Sequence, residues 1–211
     1  MGRYAHLVYT DSVRRVQEEE GSAQLGLRAL AQDDARPDEL GPDEAAFLTT
    51  RDGFYLATAS ETGWPYVQYR GGPPGFVHVL DERRLAWAEV RGNRQYVTTG
   101  NVRASERVAL FFMDYARQAR LKMFGRARTV PLDEDPALTE RLGRRRTDGQ
   151  VERLMVVQVE GLNWNCRQHI TPRYTERELE SALAPVRARL DALERENEQL
   201  RARLAELDIP G

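Results

Sequence analysis

The sequence predicts a mainly β protein of the α+β class: an antiparallel barrel or sandwich of six or seven strands, with flanking helices and one long C-terminal helix. Three observations predict it. Short apolar segments separated by turn residues recur from Phe54 to Glu160. Few helical stretches lie between them, which argues against a parallel α/β sheet. From Thr175 the composition turns to Glu, Arg, Ala and Leu, the signature of a long helix. The chain thus divides into a helical segment at 1–52, a barrel at 53–172 and a helix at 173–211.

The first helix is expected over residues 10–20, with Thr10 or Asp11 as cap and Gly21 as terminator. Residues 32–41 are acidic and polar and read as a loop. A second helix begins at Gly41-Pro42-Asp43-Glu44, with proline in its first turn and acids at the positive dipole end. Phe54–Ser60 and Tyr66–Arg70 are strands flanking the turn Glu61–Pro65, and Phe76–Leu80 and Leu85–Glu89 form a second hairpin. A short helix spans Tyr96–Asn101. Val108–Met113 is a nearly continuous apolar run, expected to be buried on both faces. Leu121–Val130 and Leu154–Glu160 complete the strands, while Asp114, Tyr115 and Arg144–Arg146 read as solvated surface.

Composition narrows the function classes. Thirty-one basic residues against 33 acidic ones give a net charge of −2, which argues against a nucleic-acid or anionic-membrane binder. No stretch approaches the roughly 20 apolar residues of a membrane span, and the N-terminus lacks the apolar core of a signal peptide. A cytoplasmic protein is expected. Cys166 is the only cysteine, so neither a disulfide framework nor a zinc cluster is expected. Lys122 is the only lysine among thirty arginines.

The C-terminal segment carries heptads. With Leu183 as position a, the a positions are Leu183, Leu190, Asn197 and Leu204, and the d positions are Val186, Leu193, Leu200 and Leu207. A single Asn at a fixes register and favours a parallel two-stranded coil. In that arrangement Arg189 faces Glu194, Glu196 faces Arg201 and Arg203 faces Asp208, all attractive. Pro185 marks the start of the coil or a kink in it.

Three basic stations lie on separate segments. Gln68 and Arg70 share one strand face, with Val67 and Tyr69 on the other. Asn93, Arg94 and Gln95 precede a helix, where amide, guanidinium and backbone N–H groups suit a phosphate. Arg120, Lys122 and Arg126 alternate along one strand face. Asn163–His169 gathers an indole (Trp164), amides (Asn163, Asn165, Gln168), a thiol and an imidazole, a lining suited to a planar ligand. By contrast, Gly71-Gly72-Pro73-Pro74-Gly75 matches no nucleotide fingerprint and reads as a rigid turn.

Together Gly63-Trp64-Pro65, the strand Val67-Gln68-Tyr69-Arg70, Gly92-Asn93-Arg94 ahead of Asn101, and a basic strand ending in Gly125 resemble the FMN-binding split-barrel family related to pyridoxamine 5′-phosphate oxidase. The tail Trp164–Ile170 with Thr171-Pro172 is similar to an uncharacterised bacterial subgroup of it. The resemblance implies a six- to seven-stranded antiparallel split β-barrel and a homodimer with FMN at its interface. It also implies cofactor contacts from Val67, Gln68, Tyr69, Arg70, Asn93, Arg94 and Gln95, and, through the partner's flavin, from Arg120 and Lys122. Trp164, Asn165 and Gln168 join the expected lining, with His169 as proton donor and no metal. The chain lacks the substrate segment that ends the vitamin B6 oxidases and continues into heptads instead. The expected activity is an oxidoreductase passing hydride or electrons between a small substrate or nicotinamide and an acceptor. The alternatives are a flavin-binding sensor signalling through its coil, or a split barrel using deazaflavin or haem.

Overall fold

The computed structural model describes residues 3–32, 35–144, 148–164 and 168–207. Asn165 and Cys166 lie outside the described residues. The chain forms two compact units, residues 1–170 and 171–211.

The first unit opens with helices α1 (Tyr4–Val8), α2 (Asp11–Glu19) and α3 (Ala23–Gln32). The Thr10 hydroxyl caps α2 by accepting from the Val13 amide. Helices α1 and α3 were not expected, since five residues and a glycine-interrupted ten carry little periodic signal. Helix α4 (Pro42–Thr49) starts as expected: Pro42 opens it, and the Glu44 carboxylate accepts from the Gly41 amide at 3.0 Å.

Seven strands then make one antiparallel sheet: β1 (Gly53–Ala59), β2 (Pro65–Gly71), β3 (His78–Asp81), β4 (Arg84–Val90), β5 (Arg107–Asp114), β6 (Ala119–Val130) and β7 (Val151–Trp164). Their order is β2-β1-β5-β6-β7-β4-β3. Helix α5 (Val97–Ala104) joins β4 to β5, and α6 (Pro136–Gly143), capped by the Asp135 carboxylate, joins β6 to β7. The predicted antiparallel fold with flanking helices is therefore present.

Two glycines in β6 and β7 permit close approaches. At Gly125 the pairing of β6 with β7 shifts register, and an added Cβ would lie 2.6 Å from the Gln158 carbonyl. At Gly161 a Cβ would lie 2.9 Å from Leu7 and 3.0 Å from the Tyr4 Cα, so only glycine lets α1 seat against β7. The main core fills the concave side with Phe54, Leu56, Phe76, Trp87, Leu110 and Phe112 among others. A smaller cluster of Ala86, Ala88, Val130, Leu142 and Leu154 packs α6 on the other side.

Two expectations are corrected. Strand β5 is not buried on both faces: Val108, Leu110 and Phe112 are buried, whereas Ala109, Phe111 and Met113 are only partly covered. Asp114 is not solvated surface but 4% exposed, held by Arg51 at 2.7 Å and Arg117 at 3.3 Å. A carboxylate this buried needs such cations to replace its lost water.

The second unit contains α7 (Glu176–Leu207), a helix of 32 residues with Pro185 inside it. Its start is a reciprocal cap. The Thr175 hydroxyl accepts from the Glu178 amide at 3.2 Å, and the Glu178 carboxylate accepts from the Thr175 amide at 2.8 Å.

Candidate functional site

Register explains why Gln68 and Arg70 do not face solvent. On the β1–β2 ladder Leu56 sits opposite Gln68 and Phe54 opposite Arg70. Cross-strand partners share a face, and Phe54 and Leu56 belong to the core. Gln68 and Arg70 therefore lie on the inner side of the sheet, while Val67 and Tyr69 are exposed on the outer side. The same logic places Glu89 on the inner side of β4, beyond Leu85 and Trp87, and sets Arg153 of β7 opposite it.

β2 is one edge of the sheet and β4 lies next to the other. Even so, the Arg70 guanidinium reaches the Glu89 carboxylate at 3.1 Å, so the sheet curls until its two ends meet. The apolar interior ends there in a polar layer. Arg153 stands 3.9 Å from the other oxygen of Glu89, and donates to Thr99 at 3.4 Å and to Glu152 at 3.1 Å. Glu89 is 5% exposed.

Helix α5 points its N-terminus into this layer. The Thr98 hydroxyl donates to the Gln68 side-chain oxygen at 2.9 Å, tying the helix to β2. The buried Asn101 amide donates to the Thr58 hydroxyl at 2.9 Å, tying it to β1. Gly100 is the first residue whose amide bonds back, to the Tyr96 carbonyl at 2.9 Å. The preceding N–H groups have no intrahelical acceptor, and together with the helix dipole they favour an anion.

The segment before α5 is held open by unusual backbone. Arg94 (φ +62°) and Tyr96 (φ +53°) are both left-handed, a conformation that costs a non-glycine residue about 1–2 kcal/mol. The Asn93 side-chain Oδ1 accepts from the Gln95 backbone amide at 3.2 Å, and the Tyr96 hydroxyl donates to Glu152 at 3.2 Å. Arg153 stacks over the Tyr96 ring with its guanidinium carbon 4.8 Å from the centroid. The Glu152 carboxyl is held below the usual carboxylate range, first by the hydrogen bond from Arg91 (2.7 Å) and further by that from Tyr96. These contacts enclose a cavity of about 200 Å³ into which Gln68, Arg70, Asn93, Arg94, Glu89 and Arg153 converge.

Two observations suit this cavity to an anion. Arg94 has no protein partner among the described residues, and the Arg70 Nε is buried without an acceptor. Both fit the phosphate of a nucleotide-like cofactor. A larger cavity, of about 490 Å³, lies between α1 and strands β1, β5, β6 and β7. Its one carboxylate, Glu160, is already held by Arg3 and Arg126.

The predicted stations thus separate. Gln68, Arg70, Asn93, Arg94 and Gln95 come together around one cavity. Arg120 and Lys122 alternate with the core residues Leu121 and Met123 along β6 and do not line that cavity; Arg120 lies over Phe111 at 5.9 Å. Trp164 packs edge-on against Phe47 at 4.8 Å and donates to the Glu44 carboxylate at 2.6 Å, so it braces the first turn of α4 and does not line that cavity. Gln168 and His169 are exposed in a turn, with His169 at φ +63°. Asn165, expected beside them, lies outside the described residues. Sequence reasoning missed Glu89, Thr98, Thr99 and Arg153. The available signal was an acid closing the apolar run Leu85–Ala88.

The sequence model of pyridoxamine 5′-phosphate oxidase matches residues 40–163. No curated protein matches the chain. Among solved structures, HupZ of Group A Streptococcus is similar at 16% identity and TM-score 0.48, over 64% of this chain and 99% of that one. A pyridoxamine 5′-phosphate oxidase-like protein from Lactobacillus delbrueckii is similar at 20% identity and TM-score 0.45, over 59% and 93%. An FMN-binding protein from Syntrophomonas wolfei is similar at 10% identity and TM-score 0.45, over 59% and 85%. The match at 40–163 takes in every strand of the sheet and more than half of the residues, and on that ground the chain belongs to the pyridoxamine 5′-phosphate oxidase family.

Proposed function

We propose that the protein binds FMN and is an oxidoreductase, working as a homodimer in which a second copy completes each flavin site. One observation carries the reading. The cavity gathers three guanidinium groups at a helix N-terminus against one buried carboxylate, and Arg94 among them has no partner within the described residues.

Arg70 and Arg94 hold the phosphate from two sides, the N–H groups at the start of α5 receive its remaining oxygens, and Asn93 keeps the loop in place. Gln68 has its side-chain oxygen engaged by Thr98, which leaves its amide nitrogen to donate to the cofactor. A cavity of about 200 Å³ is smaller than the ~300–1,000 Å³ of a typical ligand site. It suits the phosphate end, with the ring outside against the β6 face of a second copy, where Arg120 and Lys122 meet it. When bound, the flavin supplies the hydride and electron chemistry, and the protein supplies position and electrostatics.

The test is the visible spectrum of the purified protein, with the chromophore identified after denaturation. A two-band flavin spectrum with FMN released is the expected result. A colourless protein that takes up no added FMN refutes the reading. Bleaching by a small reductant or reduced nicotinamide, reversed by an acceptor, separates turnover from mere carriage.

A further inference from the structure

We infer that α7 pairs with α7 of a second copy as a parallel, in-register, two-stranded coil. This pairing does not depend on flavin binding. The helix is about 48 Å long at 1.5 Å per residue. Along it Leu183, Val186, Leu190, Leu193, Leu200 and Leu204 are 43–63% exposed. With Asn197 between Leu193 and Leu200 they recur at alternating spacings of three and four, so they form one stripe that is apolar but for that amide, and Leu179 extends it by one step towards the N-terminus. A continuous stripe on an otherwise charged helix requires a covering surface.

Charge and Asn197 select the occupant. In parallel register Arg189 faces Glu194 and Glu196 faces Arg201. The antiparallel overlap that sets Leu190 against Leu200 brings Arg187 to Arg201, Arg189 to Arg203, Glu194 to Glu194 and Glu196 to Glu196. Every flanking pair is then repulsive. The overlap that sets Leu190 against Leu193 instead brings Arg187 to Glu194 and Arg189 to Glu196, so the charges admit that orientation and the choice falls to Asn197. Asn197 makes that choice. In the parallel coil it meets the other Asn197 and the two amides bond; in the two antiparallel overlaps it faces Val186 or Leu193 and is buried without a partner. Pro185 falls at heptad position c, on the outer surface. Its missing N–H costs the helix one backbone bond, at the Ser181 carbonyl, without disturbing the seam.

The full-length chain with Cys166→Ser provides the test background. Leu204→Cys, on the seam, should form an interchain disulfide under mild oxidation at least tenfold faster than Glu198→Cys on the outer surface. The parallel coil puts the two copies of residue 204 together, whereas the full antiparallel overlap sets residue 204 against Leu179. Equal rates at the two positions overturn the inference. If Leu204→Cys does not fold, Asn197→Leu in the native background decides. The inference expects a higher melting temperature of the helix and particles of more than two chains by sedimentation. Melting and mass unchanged by Asn197→Leu overturn it.

Discussion

Arg94→Ala separates binding from folding more cleanly than any other substitution in the cavity. Arg94 is exposed and has no partner among the described residues, so its removal breaks no contact of the folded chain. Stability should move by no more than about 0.5 kcal/mol, as for a surface change away from special features. The phosphate would lose one charge-assisted interaction of about 1.5–3 kcal/mol, which weakens FMN binding about 10- to 150-fold. Arg94→Gly sharpens the argument. It deletes the same guanidinium but relieves the left-handed strain at φ +62°, so it should be about 1 kcal/mol more stable than Arg94→Ala. The assay is titration of the apoprotein with FMN by quenching of flavin fluorescence, with riboflavin as the phosphate-free control. Both variants should lose FMN affinity while their riboflavin affinity stays level with that of the unsubstituted protein. An equal loss for the two flavins, or no loss for FMN, would refute the phosphate role of Arg94.

Other substitutions test the surrounding layer. Glu89→Gln removes the charge shared by Arg70 and Arg153. Breaking a buried pair from one side costs about 3 kcal/mol, or roughly 6–12 °C in melting temperature for a unit of this size. Inorganic phosphate or FMN should recover more of the loss in this variant than it adds to the unsubstituted protein, as scanning calorimetry with and without ligand would show. Asn101→Ala deletes the buried bond to Thr58 and should cost about 1–3 kcal/mol in denaturant unfolding. It should also lower FMN affinity, because α5 is no longer held to β1. Glu152 has a depressed folded pKa, so its contribution is present above its unfolded pKa and disappears as pH falls through the lower folded value. The loop at Tyr96 should therefore loosen only in that acid window. Flavin retention followed from neutral pH downwards should show a step there that is missing in Glu152→Gln.

Local pattern made much of the barrel legible. The turn at Ser60–Trp64, the alternation in β2 and the cap at Gly41–Glu44 were all readable because each depends on neighbours in sequence. Helix α6 escaped notice although Asp135 and Pro136 announce it, because eight residues between two strands left too short a window for periodicity. The site divides along the same line. Gln68 with Arg70, and Asn93 with Arg94, could each be picked out as polar groups where a strand or loop should be bland. Their meeting could not, since it depends on pairing between β4 and β7 and on the curl that brings β2 round to β4. Trp164 shows the same limit. An indole among amides suggests a cofactor, and its hydrogen bond to Glu44, 120 residues earlier, is something no local spacing could reveal.

A buried carboxylate inside the proposed anion site looks like a mistake until the charges are counted. Arg70, Arg94 and Arg153 line the cavity against Glu89 alone, which leaves two positive charges; Glu152 nearby is balanced by Arg91. Without Glu89, three guanidiniums would face one another across a small volume whenever no anion was bound, and like charges at that range are costly. With Glu89, Arg70 and Arg153 are held in place, and the excess matches the charge of a phosphate monoester, about −1.5 to −2 near neutral pH. A carboxylate ligand would leave one cation uncompensated, and a neutral one would leave two. The layer should therefore select for the phosphate before any ring contact is made. Glu89 then acts as a positioning residue whose removal disorders the empty site more than the filled one.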